Sequence, residues 1–233
     1  MGERVTLRIG AVAAIVGGVI GLVANILHPR EADILDSTEG LLTEVAGSDI
    51  WVGVHFAIAV ALALLLAALY GVSRSITSES GRQWARLAWG AAVASTAIGL
   101  VLLFVDGIAV ADAANTWSSA SGAAKDTAFA AGSAIISLSF ALFTGFIVIS
   151  FGALPLLYSA TLLSSDDYPT WLGWVAGLAG VLGVVAGVLQ WFAGPSTLSA
   201  FVLFPIASIL FTLWIIYTGF MMWQKSAAVV PAT

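Results

Sequence analysis

The chain contains no cysteine and very few charged residues. The absence of cysteine excludes disulfides, thiolate metal sites and iron–sulfur clusters. Only 9% of the 233 residues are charged, whereas about a quarter are charged in a soluble globular domain. Hydrophobic residues make up 60% of the chain, and its mean hydropathy is +1.04. This composition predicts an integral membrane protein, which has the lipid bilayer as its first partner.

Basic residues are also scarce, and the net charge is −5. Binding to nucleic acid requires a basic footprint, so that class of partner is excluded. The first apolar run leads at Pro29 into acidic residues and not into a small-residue cleavage site, which favours a retained membrane span over a signal peptide. No stretch outside the apolar runs is long enough to fold alone, so we expect one transmembrane domain over residues 1–233.

Six apolar segments have the roughly 20 residues that a helix needs to cross a hydrocarbon core of ~30 Å. They cover about residues 9–27, 51–73, 87–105, 128–150, 170–191 and 198–222. Inside a bilayer each segment must satisfy its own backbone hydrogen bonds, and the segments lack the alternation of a membrane β-barrel. The sequence therefore predicts an all-α, polytopic bundle of six transmembrane helices.

Basic residues in the short loops predict the orientation. Six precede span 1, separate spans 2 and 3, or follow span 6: Arg4, Arg8, Arg74, Arg82, Arg86 and Lys225. Only Arg30 and Lys125 fall on the other side. Both termini are accordingly expected in the cytoplasm (N-in/C-in), with the protein in the cell membrane.

Short polar signals add detail between the spans. Asp36 or Ser37 can cap a short amphipathic helix in the first outer loop, which would end at Gly47. Span 3 has no helix breaker before about Trp117 and should continue beyond the bilayer, whereas Pro155 should kink or end span 4. Pro205 predicts a kink in span 6.

Tryptophan and glycine are concentrated in particular places. Most tryptophans lie near span ends, as in an aromatic belt: Trp51, Trp84, Trp89, Trp171, Trp174, Trp191 and Trp223. Small residues recur in span 1 at Gly10, Gly17 and Gly21, and in span 5 at Gly173, Gly177, Gly180, Gly183 and Gly187. Such spacing is typical of closely packed helices, within one chain or between copies. It predicts a homo-oligomer or a membrane complex as one alternative.

The only two histidines flank the first outer loop. His28 closes span 1, and His55 lies one turn inside span 2, so both imidazoles should emerge at the same face. Asp106 ends span 3 on that face and is the one acidic residue flush with an apolar run. Imidazole and carboxylate together suit a divalent metal, so the candidate metal ligands are His28, His55 and Asp106, with Asp112 or Asp126 as further candidates.

Other interpretations of these residues remain open. The same two histidines could serve as axial ligands of haem, with small residues of spans 1 and 2 leaving room for the macrocycle. They could also be interfacial residues that cap backbone groups or pair with loop carboxylates. Ser133, Ser137, Thr144 and Gln190 could line a small outward-facing cavity, but no serine stands in a GxSxG or SxxK pattern. The sequence assigns no catalytic residue and leaves enzymatic activity open.

The motifs resemble those of a loose group of prokaryotic multi-pass membrane proteins that has no assigned activity. They are Leu27, His28 and Pro29 as LHP, Trp51 and His55 as WxxxH, and Val105, Asp106 and Gly107 as VDG. The stretch from Tyr168 to Gly180 is similar to the fifth span of that group. The resemblance implies a fold and a set of positions, not a function.

Three functional hypotheses follow. The first is a ligand-binding or redox protein with an outer site for a metal ion or haem. The second is a transporter or channel for a small neutral solute, because the interior of the spans is nearly free of charge. The third is a structural or accessory subunit of a membrane complex.

Overall fold

A computed structural model describes residues 2–29 and 37–228. Within these ranges the chain is all helical and contains six helices that are long and apolar enough to cross a membrane. The predicted fold class is therefore confirmed: the chain is a multi-pass membrane protein. The membrane orientation stays a prediction, as does the role assigned to Asp36, which lies outside the described residues.

Residues 2–29 and 37–228 contain nine α-helical segments and three π-helical segments, and all of them except α2 belong to the six spans. The α-helices are α1 (Glu3–Leu27), α2 (Thr38–Gly47), α3 (Trp51–Arg74), α4 (Glu79–Phe104), α5 (Val110–Ser119), α6 (Ala123–Phe146), α7 (Leu154–Leu163), α8 (Thr170–Ala193) and α9 (Phe204–Ala228). The π-helical segments are Val105–Ala109, Ile147–Ala153 and Thr197–Leu203. Each π-helical segment joins an α-helix without a break, so spans 3 and 4 are continuous helices of 41 residues, Glu79–Ser119 and Ala123–Leu163.

Spans 3 and 4 are longer than the bilayer requires. At 1.5 Å per residue a helix of 41 residues is about 60 Å long, twice the thickness of a hydrocarbon core. The helix of span 3 continues to Ser119, in agreement with its predicted continuation to about Trp117, and the helix of span 4 continues to Leu163, so Pro155 does not end it. The helix passes through Pro155, since the preceding residue, Leu154, donates its N–H to the carbonyl of Ile149 across a wider π turn. Pro205 also lies just after a π-helical segment, Thr197–Leu203. There the Phe204 N–H donates a hydrogen bond to the Ser199 carbonyl oxygen.

The short helix α2 covers one end of the bundle. The Ser37 hydroxyl accepts a hydrogen bond of 2.9 Å from the Gly40 N–H, which confirms the predicted cap. Leu42 is fully buried, and the apolar face of α2 packs against α5 and α6. We call this the histidine end, because the C-terminus of α1 and the N-terminus of α3 meet there.

The opposite end holds a second and larger core. We call it the arginine end, because Arg74 at the end of α3 and Arg82 at the start of α4 lie there. Its largest fully buried side chains include Tyr158, Leu162 and Trp214. The predicted glycine faces pack inside the chain. A Cβ at Gly10 in α1 would lie 2.9 Å from the Gly71 Cα, and a Cβ at Gly183 in α8 would lie 1.9 Å from the Phe151 carbonyl oxygen. These glycines bring α1 against α3, and α8 against the Ile147–Ala153 segment; an association between copies stays a prediction.

Candidate metal centre

His28 and His55 are delivered to one point from two adjacent helices. Pro29 disfavours helical backbone at the residue before it, so α1 ends at Leu27 and His28 is extended, with φ −64° and ψ 124°. His55 lies one turn into α3 and is buried, with 3% of its surface exposed. The two Nε2 atoms are 3.4 Å apart. His55 is therefore buried in the bundle. Its contacts with the Trp51 carbonyl and the Asp106 carboxylate also fit the interpretation in which the histidines cap backbone groups or pair with carboxylates, so that alternative stays open.

Asp106 approaches the same point from the third span. Its Oδ2 atom lies 2.9 Å from the His55 Nε2 atom, and its side chain is 27% exposed. One ligand atom from each of His28, His55 and Asp106 lies within 4.8 Å of the others. In the described part of the chain this is the one group of three histidine or carboxylate side chains close enough to hold a metal. We refer to these three residues as the histidine cluster.

The other two carboxylates considered for the site lie elsewhere. Asp112 and Asp126 are exposed and do not belong to the histidine cluster. Asp106 belongs to the π-helical segment Val105–Ala109, whereas Asp112 lies beyond that segment, on α5. The expectation that either residue completes the ligand shell is therefore wrong for this arrangement.

The hydrogen bonds of the imidazoles determine which nitrogen carries the proton. The His28 Nδ1 atom lies 2.9 Å from the Pro29 carbonyl oxygen, and the His55 Nδ1 atom lies 2.8 Å from the Trp51 carbonyl oxygen. A carbonyl oxygen can only accept a hydrogen bond, so each Nδ1 carries the hydrogen. In a neutral imidazole each Nε2 then presents a lone pair. Metal-binding histidines commonly use this tautomer, held by a bond from the other nitrogen to a carbonyl.

The two Nε2 atoms lie 3.4 Å apart, and the Asp106 Oδ2 atom lies 2.9 Å from the His55 Nε2 atom. Atoms of this kind at this spacing can share either a proton or a metal ion. A proton on one Nε2 would satisfy the contact with Asp106. A single divalent ion would accept all three lone pairs. Around a tetrahedral ion with bonds of about 2.0 Å, ligand atoms are about 3.3 Å apart. The two Nε2 atoms are 3.4 Å apart, the His55 Nε2 and Asp106 Oδ2 atoms are 2.9 Å apart, and all three atoms lie within 4.8 Å of one another.

Several neighbours hold the cluster in place. The Ser139 hydroxyl on α6 donates a hydrogen bond of 2.9 Å to the Asp106 Oδ1 atom, which leaves Oδ2 to face the histidines. The Trp51 indole N–H donates to the Asp106 carbonyl oxygen, also at 2.9 Å. Gly107 packs on His55, because a Cβ there would lie 2.5 Å from the His55 Cβ. The π-helical segment Val105–Ala109 places Asp106 and Gly107 in these contacts, and π-bulges are frequent at functional sites.

The supporting contacts of Trp51 and Ser139 were not predicted from the sequence. Trp51 is 3% exposed and buried in the core of the histidine end, so its assignment to the aromatic belt is wrong. The Ser139 hydroxyl bonds the Asp106 carboxylate, whereas the Ser133 and Ser137 hydroxyls bond carbonyl oxygens of their own helix. The WxxxH spacing could have indicated that Trp51 faces the same way as His55, because residues four apart share a helix face.

A largely apolar cavity of about 280 Å³ begins at the histidine cluster and extends into the bundle. His28, His55 and Asp106 contribute to its wall. The hydroxyl groups in its lining come from Ser95, Thr96, Ser139, Ser150, Ser208 and Thr212. Ser133, Ser137, Thr144 and Gln190, which were expected to line an outward-facing cavity, are not among the residues that line this one. Towards the arginine end, the cavity meets the tightly packed core around Tyr158 and Trp214.

Comparisons with known proteins return no relative for this chain: no family model, curated protein or solved structure matches it. The geometry of the histidine cluster is therefore the observation on which a functional proposal rests. The resemblance based on the LHP, WxxxH and VDG motifs stays a prediction. All three motifs contribute to the cluster, through His28, His55, Asp106 and Gly107.

Proposed function

We propose that the protein binds one divalent transition-metal ion at the histidine cluster, with His28 Nε2, His55 Nε2 and Asp106 Oδ2 as ligands. The observation that carries the proposal is the convergence of three lone-pair acceptors whose tautomers are fixed by carbonyls. Two imidazoles and a carboxylate suit zinc, and also copper or iron. The protein is proposed to act in the cell membrane, where the six spans would hold the site near one boundary.

The arrangement favours a bare ion over haem. Two axial histidines must lie on opposite faces of the porphyrin, with their nitrogens about 4 Å apart and the ring between them. Here the Asp106 carboxylate lies 2.9 Å from one of those nitrogens. The small residues of spans 1 and 2 are occupied by helix contacts, since a Cβ at Gly17 would lie 2.8 Å from the Leu64 Cβ. This leaves no slot for a macrocycle between α1 and α3.

Three protein ligands leave one position of a tetrahedral ion open. Structural zinc sites are closed by four protein ligands, whereas sites that bind water or a substrate have three. All three proposed ligands contribute to the cavity wall, so the open position would face the cavity. The site is accordingly proposed to present the ion to a molecule inside the cavity.

Metal analysis of purified protein tests the proposal. We expect about one zinc, copper or iron atom per chain in the wild type and a near-complete loss in Asp106→Asn. The matched control is Asp112→Asn, which removes an exposed carboxylate at the same end of the bundle and should retain the metal. Less than a tenth of an equivalent in the wild type after reconstitution, or equal retention by both variants, would refute it.

The cavity also supports a second candidate, the transport of a small neutral solute. Its hydroxyl lining comes from spans 3, 4 and 6, as expected for such a pathway. The packed core at the arginine end closes the pathway, so transport would require a second conformation. Uptake of glycerol or urea into proteoliposomes, at rates above those of protein-free vesicles, would favour this candidate.

A further inference from the structure

We infer that the cavity binds one fatty acid, with its carboxylate on the metal and its chain extended into the bundle. The inference rests on the proposed metal site and adds the class of ligand. Three observations support it: the shape and lining of the cavity, the charge at its polar end, and a crevice that approaches the lipid.

The cavity is long and narrow. Its wall includes His55 and Leu69 of α3, which are separated by fourteen residues, so it extends for about 21 Å along that helix. A volume of about 280 Å³ over that length describes a slender channel. Beyond the histidine cluster the walls are formed mainly by leucine and phenylalanine, including Leu65, Phe146 and Phe211. A single hydrocarbon chain matches this shape and lining.

The net charge of the proposed metal site favours an anionic head group on the bound molecule. Two neutral imidazoles and one carboxylate around a divalent ion carry a net charge of +1. Among the described residues that line the cavity, none is lysine or arginine, and Asp106 is the one carboxylate. A positive charge beside an apolar cavity is costly unless an anion pairs with it. A carboxylate at the open position would neutralise the site, whereas without the metal Asp106 would repel it.

A crevice between α1 and α9 leads from the cavity towards the lipid. This crevice has a volume of about 70 Å³ and is lined on α1 by Leu22 and Ile26 and on α9 by Ile209. Ile26 is 71% exposed and Ile209 is 47% exposed, so both lie on the surface of the bundle. The crevice shares five lining residues with the cavity: Gly21, Asn25, Pro205, Ser208 and Thr212. These residues form the partition between cavity and bilayer, through which a fatty acid would enter.

Native mass spectrometry of the full-length protein tests the inference, because it counts metal and lipid on the same molecule. The probes are palmitate, hexadecanol and methyl palmitate, which share a chain length and differ in the head group. We expect one palmitate per zinc-loaded chain, bound at least about tenfold more tightly than either neutral probe. Removal of zinc with a chelator should abolish that preference.

A cavity-filling variant locates the chain. Thr212→Phe places a large side chain in the partition and should lower palmitate occupancy at least about tenfold while zinc remains bound. Leu213→Phe is the matched control, because Leu213 is 52% exposed on the same helix, and its palmitate occupancy should equal that of the wild type. Ser208→Leu provides a second and smaller filling variant if Thr212→Phe fails to retain zinc.

The outcomes separate the two proposals. Zinc without palmitate, equal affinity for the three probes, or unchanged palmitate binding after chelation overturns the fatty-acid inference and leaves the metal site intact. A zinc-retaining filling variant that binds palmitate like the wild type also overturns it. Absence of zinc from the reconstituted wild type overturns both proposals.

Discussion

The two ends of the bundle each carry a polar cluster, and the clusters differ in the balance of donors and acceptors. At the arginine end, the Asp167 carboxylate accepts hydrogen bonds from the Thr77 N–H at 2.7 Å and the Thr77 hydroxyl at 3.0 Å. Lys225 Nζ lies 3.5 Å from the same carboxylate. At the histidine end, His28, His55 and Asp106 direct three acceptors at one point. The carboxylate at the arginine end is matched by donors, whereas the atoms at the histidine end can share a proton or, as proposed, a metal ion.

The cluster at the arginine end joins two loops. Asp167 and Tyr168 belong to the segment between α7 and α8, and Ser75 and Thr77 belong to the segment between α3 and α4. The Tyr168 hydroxyl lies 2.5 Å from the Ser75 hydroxyl. Burial raises the pKa of the Tyr168 phenol above its ordinary value, and the bond to Ser75 lowers it by less. The phenol therefore stays protonated at neutral pH, and this contact does not change charge there.

The largest effect is expected from His55→Ala at the histidine end. Loss of a direct ligand should weaken zinc binding by more than about 100-fold, the upper end of the loss expected for a residue that only positions a ligand. Competition with a zinc chelator measures the affinity. The contacts of Asp167 at the other end should be unaffected, since they share no residue with His55. A variant that binds zinc like the wild type would remove His55 from the ligand set.

Ser139→Ala should have the next largest effect. It removes the hydroxyl that donates to the Asp106 Oδ1 atom, and such partners typically affect metal affinity about 10- to 100-fold. Ser137→Ala is the control, because the Ser137 hydroxyl bonds only the carbonyl of Ser133 on its own helix. Equal zinc affinities for the two variants, measured in the same chelator competition, would show that Ser139 does not orient the carboxylate.

Asp167→Ala tests the cluster at the arginine end. Removing the carboxylate leaves the Thr77 N–H and hydroxyl without their acceptor, which should lower the free energy of unfolding by about 1–3 kcal/mol. Zinc affinity should not change. Unfolding in a denaturing detergent measures the first quantity, with exposed Asp166→Ala as the control. A change in zinc affinity without a change in stability would reverse the roles assigned to the two ends.

The smallest effect is expected from Ser37→Ala, which removes the cap of α2 at the histidine end but touches no ligand. The loss of the bond to the Gly40 N–H should cost about 1 kcal/mol. Zinc affinity should stay within about twofold of the wild type, because α2 contributes no atom to the histidine cluster. The same unfolding and chelator assays provide both numbers. A large loss of zinc affinity would show that the site depends on α2.

Much of the fold could be predicted from the sequence because hydrophobic length is a strong signal. The spans that begin at Trp51 and Thr170 agree with prediction to within a few residues at both ends. The topology placed His28, His55 and Asp106 at one face, because three consecutive spans bring their ends there, but their convergence on one point comes from the structure. Pro29 supplied the local reason, since it ends α1 immediately before His28, the first of the proposed ligands.

The remaining features depend on helix rotation, which hydropathy does not specify. The π-helical segment at Val105–Ala109 changes the helical register, and no residue pattern in VDG indicates it. Trp51 and Ser139 both bond Asp106. A tryptophan near a span end is commonly exposed at the membrane boundary, and a serine in a span commonly bonds its own helix, so neither contact could be assigned from the sequence. The cavity arises from the shapes of packed helices, so its lining could not be assigned from separate spans.

X-ray absorption at the zinc edge tests the central claim most directly. For the zinc-loaded wild type we expect two imidazole nitrogens and oxygen ligands at about 2.0–2.1 Å, with one imidazole lost in His28→Gln. A wild-type spectrum with oxygen ligands alone, or a His28→Gln spectrum identical to it, would contradict a metal centre built from His28, His55 and Asp106.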